Sequence, residues 1–158
     1  MRRVLAGLFV GGVGLVAALA LIIRNYPLDA GRWHIDPTAP GFQPGANWAV
    51  FCPLPGAREF STAGLQALAD IALATPRTKV LAGSVEEGRI TFVTRSLVMG
   101  FPDFTTAAVV PSDAGPRVCL YARQGIGDYD WGVNAARVRD WAGQLTGLRD
   151  EVTLTPPG

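Results

Sequence analysis

The residues with most chemical potential lie between Tyr121 and Trp141, in the run YARQGIGDYDWGVNAARVRDW. A short apolar strand ends in Arg123. A glycine-spaced loop follows with Asp128 and Asp130, and a helix then opens on Gly132-Val133-Asn134 and carries Arg137. Such a strand-to-helix corner is either a built site or a joint held by its own polar network. In the first reading Arg123, Asn134, Arg137 and the loop amides bind an anionic or polar ligand, because free N–H groups at a helix start attract negative charge. In the second, Asp130 is the helix N-cap, accepting the first free N–H groups and complementing the dipole. Asn134 and Arg137 are three apart, share a helix face and reach back toward the strand end holding Arg123.

Strand alternation adds Arg95. In residues 89–97, Thr91, Val93 and Arg95 share one face; in 117–123, Cys119, Tyr121 and Arg123 do. An arginine near a core requires a carboxylate or several acceptors, and Asp103, Asp128 and Asp130 are the nearest by sequence. The candidate cluster, ligand-binding or structural, is Arg95, Asp103, Arg123, Asp130, Asn134 and Arg137. No residue is assigned a catalytic role. The alternative is a hydrolase-like enzyme using Asp103 or Asp130 with His34, the only histidine. A catalytic histidine needs such a neighbour in space, and no Gly-x-Ser-x-Gly elbow occurs. Gly125-x-Gly127 falls short of a dinucleotide fingerprint. Asp128-x-Asp130 lacks the glycine and glutamate of a calcium loop, and two cysteines with one histidine do not make a structural zinc site. No metal and no cofactor is expected.

The elements that must position these residues follow from periodicity and breakers. Asn47 to Cys52 reads as a strand ended by Pro53. Thr62 to Ala74 reads as a helix, N-capped by Ser61 or Thr62, with Leu65, Leu68 and Ala72 on its apolar face and Pro76 as its stop. Strands follow at Thr78–Ala82, Arg89–Leu97, Phe104–Val110 and Arg117–Arg123, with turn signals at Glu86-Glu87-Gly88 and Ser112 to Pro116. Short connections imply antiparallel pairing. The last helix is expected from Trp131 to Leu148, with Val138, Trp141, Leu145 and Leu148 as its stripe. The order β-α-β-β-β-β-α predicts an α+β fold: a two-layer domain of about five antiparallel strands packed by two helices.

Ahead of that domain, Val4 to Ile23 contains twenty residues without charge or proline. At about 1.5 Å per residue they span roughly 30 Å, one hydrocarbon core. Ala18-Leu19-Ala20 resembles a signal cleavage site, but the apolar run continues past it, which favours an uncleaved transmembrane anchor over residues 1–24. Arg2 and Arg3 outweigh Arg24, offset by Asp29, so the N-terminus is expected in the cytoplasm and the C-terminal domain outside. Residues 25–46, with four prolines, read as an extended tether, 47–148 as the domain and 149–158 as a C-terminal tail. The expected location is the bacterial inner membrane, single-pass, with the domain facing the periplasm.

From Asn25 onward eleven Arg/Lys face thirteen Asp/Glu, without a basic run, which excludes a nucleic-acid partner. Cys52 and Cys119 are the only cysteines. They are either a disulfide of an oxidising compartment or two small buried hydrophobes.

GSVEEGRITFVTRSLVMGFPDF followed by YARQGIGDYDWGVNAARVRDW resembles the bacterial family filed as domain of unknown function 1499, and the WHIDP stretch resembles its N-terminal signature. The resemblance covers roughly Arg32 to Leu148. It places the family's motif residues on Arg95, Phe101, Pro102, Asp103, Arg123, Gly127, Asp130, Gly132, Asn134 and Arg137. Two departures are visible: Gly125 stands where relatives often carry a second arginine, and Asp128-Tyr129 replaces a Tyr-Ser step. The resemblance implies no established activity. The expected function is a membrane-anchored, non-enzymatic envelope domain that binds a small ligand, lipid or partner. Its partners would be the bilayer, through residues 4–23, and an unknown small ligand or envelope protein. A purely structural assembly role is the third reading.

Overall fold

The computed structural model describes residues 2–52, 62–113, 115–127 and 129–146. The long helix α1 is Arg2–Arg24 and a single helical turn, α2, is Ala30–Trp33. Then come β1 (Ala49–Phe51), α3 (Thr62–Ala74), β2 (Thr78–Ser84), β3 (Arg89–Arg95), β4 (Pro102–Val110), β5 (Arg117–Gln124) and α4 (Val133–Thr146). The expected α+β fold is present. Five antiparallel strands lie in the order β1-β5-β4-β3-β2. The run β2 to β5 is a meander of adjacent pairs, and β1 joins β5 at the far edge, so α3 returns the chain from one edge of the sheet to the other.

One face carries α3 and α4. Their apolar stripes, Leu65, Leu68 and Ala72 on α3 and Val138 and Trp141 on α4, close over Phe51, Ile90, Phe92, Ala107, Val118 and Leu120. Trp141 is fully buried, meets Phe92 edge-on at 5.8 Å, and donates its Nε1 proton to Thr75 Oγ1 at 2.8 Å. That bond fixes α4 against the end of α3 while leaving no indole N–H unpaired in the core.

The opposite face is covered by the segment read as an extended tether, which makes a third layer where two were expected. Prolines keep most of it irregular, but Asp29 caps α2 by accepting from Gly31 N at 2.9 Å. Trp33 then stacks on Phe104, centroids 4.0 Å apart and planes within 8°. Ile35, Phe42 and Trp48 pack on Val50, Cys119 and Tyr121. The cause is a sheet whose strands bury residues on both faces, β5 from Val118 through Arg123 among them. Two helices cover only one face.

Several boundaries differ from the sequence reading. β3 stops at Arg95 and β4 starts at Pro102, because the turn between them closes through Ser96 N to Phe101 O at 2.9 Å and Phe101 N to Ser96 Oγ at 2.9 Å. The last helix starts at Val133 instead of Trp131, because Trp131 and Gly132 have φ of 56° and 77°, which no helix accepts. Its expected end at Leu148, the tail, Asp128 and the Ser61 cap lie outside the described residues. The side chains of α1 are described from Leu8 onward. Among the described residues no helix is long and apolar enough to cross a membrane.

Of the two open readings for the cysteines, the disulfide is the one formed. Phe51 pairs with Leu120, so Cys52 falls opposite Cys119, with Cα atoms 4.5 Å apart and Sγ atoms bonded at 2.04 Å. The bridge fastens the three-residue edge strand β1 to the centre of the sheet. It closes a loop of 67 residues, worth on the order of 4 kcal/mol in the chain-entropy account. Reduction, or the pair Cys52→Ala and Cys119→Ala, is expected to lower unfolding free energy by about that amount. Chemical denaturation with and without reductant checks it; an unchanged midpoint would show that β1 is held by packing alone.

Candidate functional site

Asp130 occupies the position expected of an N-cap. Its carboxylate accepts from Gly132 N at 2.9 Å and Asn134 N at 2.8 Å. Partial desolvation opposes the negative charge, but these backbone bonds outweigh it and hold the carboxyl below the ordinary aspartate range. One turn into α4, Arg137 donates to Asn134 Oδ1 at 2.7 Å and to Asp103 at 2.9 Å. The Arg137–Asp103 pair is nearly sealed, with 9% and 14% of the side chains exposed. Burial raises the Asp103 carboxyl, and the Arg137 guanidinium only partly offsets this. Asn134 is itself buried, and it favours the ionised forms of both Asp103 and Asp130.

Four of the six predicted residues therefore meet: Asp103, Asp130, Asn134 and Arg137. Arg123 and Arg95 do not join them. Asp103 pairs with Gln124 in the ladder while Phe104 pairs with Arg123. The pleat therefore sends Asp103 to the helix face and Arg123 to the other. Among the described residues no carboxylate pairs with Arg123. Its guanidinium donates to the Trp33 carbonyl and lies over the rings of Trp48 and Trp33, 4.6 and 5.5 Å from their centroids. Desolvation pulls its pKa down to about 10, and the aromatic faces supply the attraction that an acid was expected to give.

Arg95 serves the end of α1. Its Nη1 donates to Gly100 O at 2.8 Å and to Ile23 O at 3.2 Å, placing a cation on the last carbonyls of that helix. Arg24 answers from the helix, donating to Leu97 O and Val98 O at 2.9 and 2.8 Å. Gly100, at φ 77°, makes the clasp possible: a Cβ there would lie 2.4 Å from Arg24 Cγ.

His34 is likewise apart from the corner. Arg89 Nε donates to His34 Nε2 at 3.0 Å, so the ring is neutral there and Nδ1 donates to Thr91 Oγ1 at 2.9 Å. Burial and the Arg89 charge both lower its pKa. Asp36 pairs with Arg89 at 3.0 Å. Both ring nitrogens are committed, and Thr91 lies on the opposite face of the sheet from Asp103, so the His34–Asp103 or His34–Asp130 pairing of the alternative, hydrolase-like reading is not formed. Among the described residues no group of three His, Cys, Asp or Glu gathers as for a metal.

What the corner does present is a cleft of about 440 Å³ between the start of β4, the end of β5 and the start of α4. Asp103 and Asp130 lie among its walls. Its rim is apolar and exposed: Phe101 38%, Ile126 40%, Tyr129 72% and Trp131 86%. Tyr129 and Trp131 meet edge to face at 5.2 Å. The resemblance singled out Phe101, but the sequence reading passed over Ile126, Tyr129 and Trp131. The signal was there in aromatic residues off the apolar stripe of the last helix.

A five-stranded antiparallel sheet, closed on one face by two helices and on the other by an N-terminal strap, with a buried Asp–Arg pair at the strand-to-helix corner, defines this α+β class. The chain belongs to the family described as protein of unknown function (DUF1499), whose model matches residues 52–145. The match contains every motif residue carried over from the resemblance, but not the strap with its WHIDP stretch. Comparison with curated proteins and with solved structures found no match.

The departure at Gly125 has a steric cause. A Cβ at that position would lie 2.5 Å from the Phe104 ring and 2.7 Å from Pro102 O, the carbonyl that Gly125 N bonds at 2.9 Å. Gly125→Arg is expected to cost at least about 2 kcal/mol through overpacking. Thermal unfolding checks this, and a neutral result would mean the loop yields easily.

Arg137→Ala separates scaffold from ligand contact. It strands a buried carboxylate, so destabilisation of about 3 kcal/mol is expected at pH 7. Asp103, already raised in the folded state, would rise further. Stability from a raised carboxyl is present below the unfolded pKa and lost as pH climbs through the folded one. The deficit of the variant should therefore shrink as pH falls from 7 to about 4. Urea unfolding at both pH values measures it, and a pH-independent deficit would refute the pairing as its source.

Proposed function

We propose that this chain is a single-pass, membrane-anchored, non-enzymatic domain of the bacterial envelope that binds a small amphipathic ligand in the aromatic-rimmed cleft. The observation that carries this reading is the rim itself. Four large apolar side chains surround two carboxylates, and such patches on a monomer mark binding surfaces. Trp131 adds weight: a bulky side chain at φ 56° is held there against its backbone preference, with 86% of its surface in solvent.

The anchor is supported by the uncharged stretch Val4–Ile23, lying within the 23-residue helix α1. The Arg2-Arg3 pair ahead of it and the disulfide beyond it both suit a periplasmic domain. The non-enzymatic reading is supported by the commitment of both His34 nitrogens and by the internal pairing of Asp103 with Arg137. That pairing also supports reading the corner beneath the cleft as scaffold, with the ligand contacts at its rim.

The test is mass spectrometry of small molecules retained by the full chain extracted from membranes, wild type against Trp131→Asn. Asparagine tolerates a left-handed backbone, a relief of roughly 1–2 kcal/mol. The lost Tyr129 contact is worth about 0.5–1.5 kcal/mol. Stability should therefore change by less than about 1 kcal/mol while the retained ligand disappears. A variant that keeps its ligand would rule out the cleft.

A further inference from the structure

A second groove lies beside the Ser96–Gly100 turn and shares Ser96 with the cleft. It is about 380 Å³ and is lined by Arg24, Arg77, Lys79 and Arg95, with Val93 and Leu97 between them. Among the described residues no carboxylate lines it and none of the four cations forms an ion pair. This is unusual in a chain that is otherwise nearly neutral. Four like charges in one groove repel one another unless an anion is shared between them.

Their donors are only partly used. Arg24 spends Nη2 on the turn carbonyls, Arg95 spends Nη1, and Arg77 spends Nε on Arg95 O at 2.9 Å. A guanidinium has five N–H donors and an ammonium three. Lys79, exposed on β2, pairs in the ladder with Val93 and so projects from the same face as Arg95. The remaining donors match the oxygens of a phosphate.

The groove does not end in water. Leu97 belongs to it, and the next residue, Val98, belongs to a shallow apolar furrow of about 650 Å³ that runs down α1 past Ala20, Val16, Gly12 and Leu8. Leu97 and Val98 are each 68% exposed. A cationic pocket continuing into an apolar furrow at the end of a long helix complements an anionic head bearing an alkyl tail, and four cations with several free donors each suit a phosphate head.

We infer that this groove binds one anionic phospholipid, its head phosphate between Arg24, Arg77, Lys79 and Arg95 and an acyl chain along α1 over Val98. The inference rests on the anchored reading of α1, and is independent of the ligand cleft. It makes Leu97 and Val98 membrane-dipping residues and gives Arg24 and Arg95 a second role beside the clasp. The bound lipid would set the domain's orientation on the bilayer, and the cleft's with it.

The experiment uses the full chain in detergent micelles, with phosphatidylglycerol or phosphatidylcholine of identical acyl chains added, read by native mass spectrometry. One phosphatidylglycerol should be retained in preference to phosphatidylcholine. The double variant Arg77→Gln, Lys79→Gln should lose roughly tenfold or more of that retention, the scale expected for two basic groups beside an anionic head. Lys79→Glu alone should show a comparable loss at a site without a structural bond. Equal retention of both lipids, or undiminished binding by both variants, overturns the inference. So does displacement of the lipid by millimolar inorganic phosphate, which would mark a free-anion site. Alkaline carbonate extraction distinguishes the two levels. A chain released from membranes defeats the anchor and the lipid site together. A chain that stays inserted without lipid preference defeats the lipid site only.

Discussion

The stack of Trp33 on Phe104 is the contact on which the rest of this structure depends. A sheet with two helices has one face to spare, and here that face carries Phe104, Cys119, Tyr121 and Arg123, all buried. Something must cover it, because apolar surface of that size is not left in water. The strap does so from one anchoring ring, parallel to Phe104 and 4.0 Å away. Once Trp33 is seated, its carbonyl and ring face receive Arg123, and the next residue, His34, reaches Thr91 and Arg89. The strap also fixes where α1 ends, since only five residues separate Arg24 from α2.

The two faces use charge differently for a physical reason. On the helix face Asp103 and Arg137 come from elements already packed together, so the acid and base find each other at 2.9 Å with Asn134 as third partner. On the strap face no acid among the described residues pairs with Arg123. Two indole faces and a carbonyl replace it, and desolvation remains as the downward pull on its pKa. A buried cation with aromatic partners is a rigid fixture more than a ready anion receptor. The open cations are elsewhere, at the mouth of α1, where Arg24, Arg77 and Lys79 are exposed, Arg95 is half-buried and their donors are only partly used.

Much of the fold was legible in the chain, because it rests on local patterns. Alternation and turn residues marked four strands of the meander, and the three- and four-residue spacing of Val138, Trp141 and Leu145 marked α4. The Asp130 cap was legible for the same reason: its partners lie two and four residues away. The corner's other half was not. That Arg137 takes Asp103, and that Arg123 takes tryptophans, depends on which face each strand residue turns toward and on what covers that face. The helical turn at Ala30–Trp33 was hidden by surrounding prolines, and the left-handed Trp131 by a residue type that rarely adopts that backbone.

The sequence by itself determined the element order from β1 onward, the α+β class, the uncharged N-terminal stretch and the family, since these follow from periodicity, composition and a contiguous motif. Only the tertiary structure decided the disulfide, which required β1 to add at the β5 edge and set Cys52 opposite Cys119. The same holds for the strap as a third layer, the division of six candidate residues between two faces, and the gathering of Arg24, Arg77, Lys79 and Arg95 in one groove. These last four come from α1, the turn before β2, β2 and β3. Residues that far apart in sequence are brought together by sheet order and the path of the strap, which no local pattern encodes.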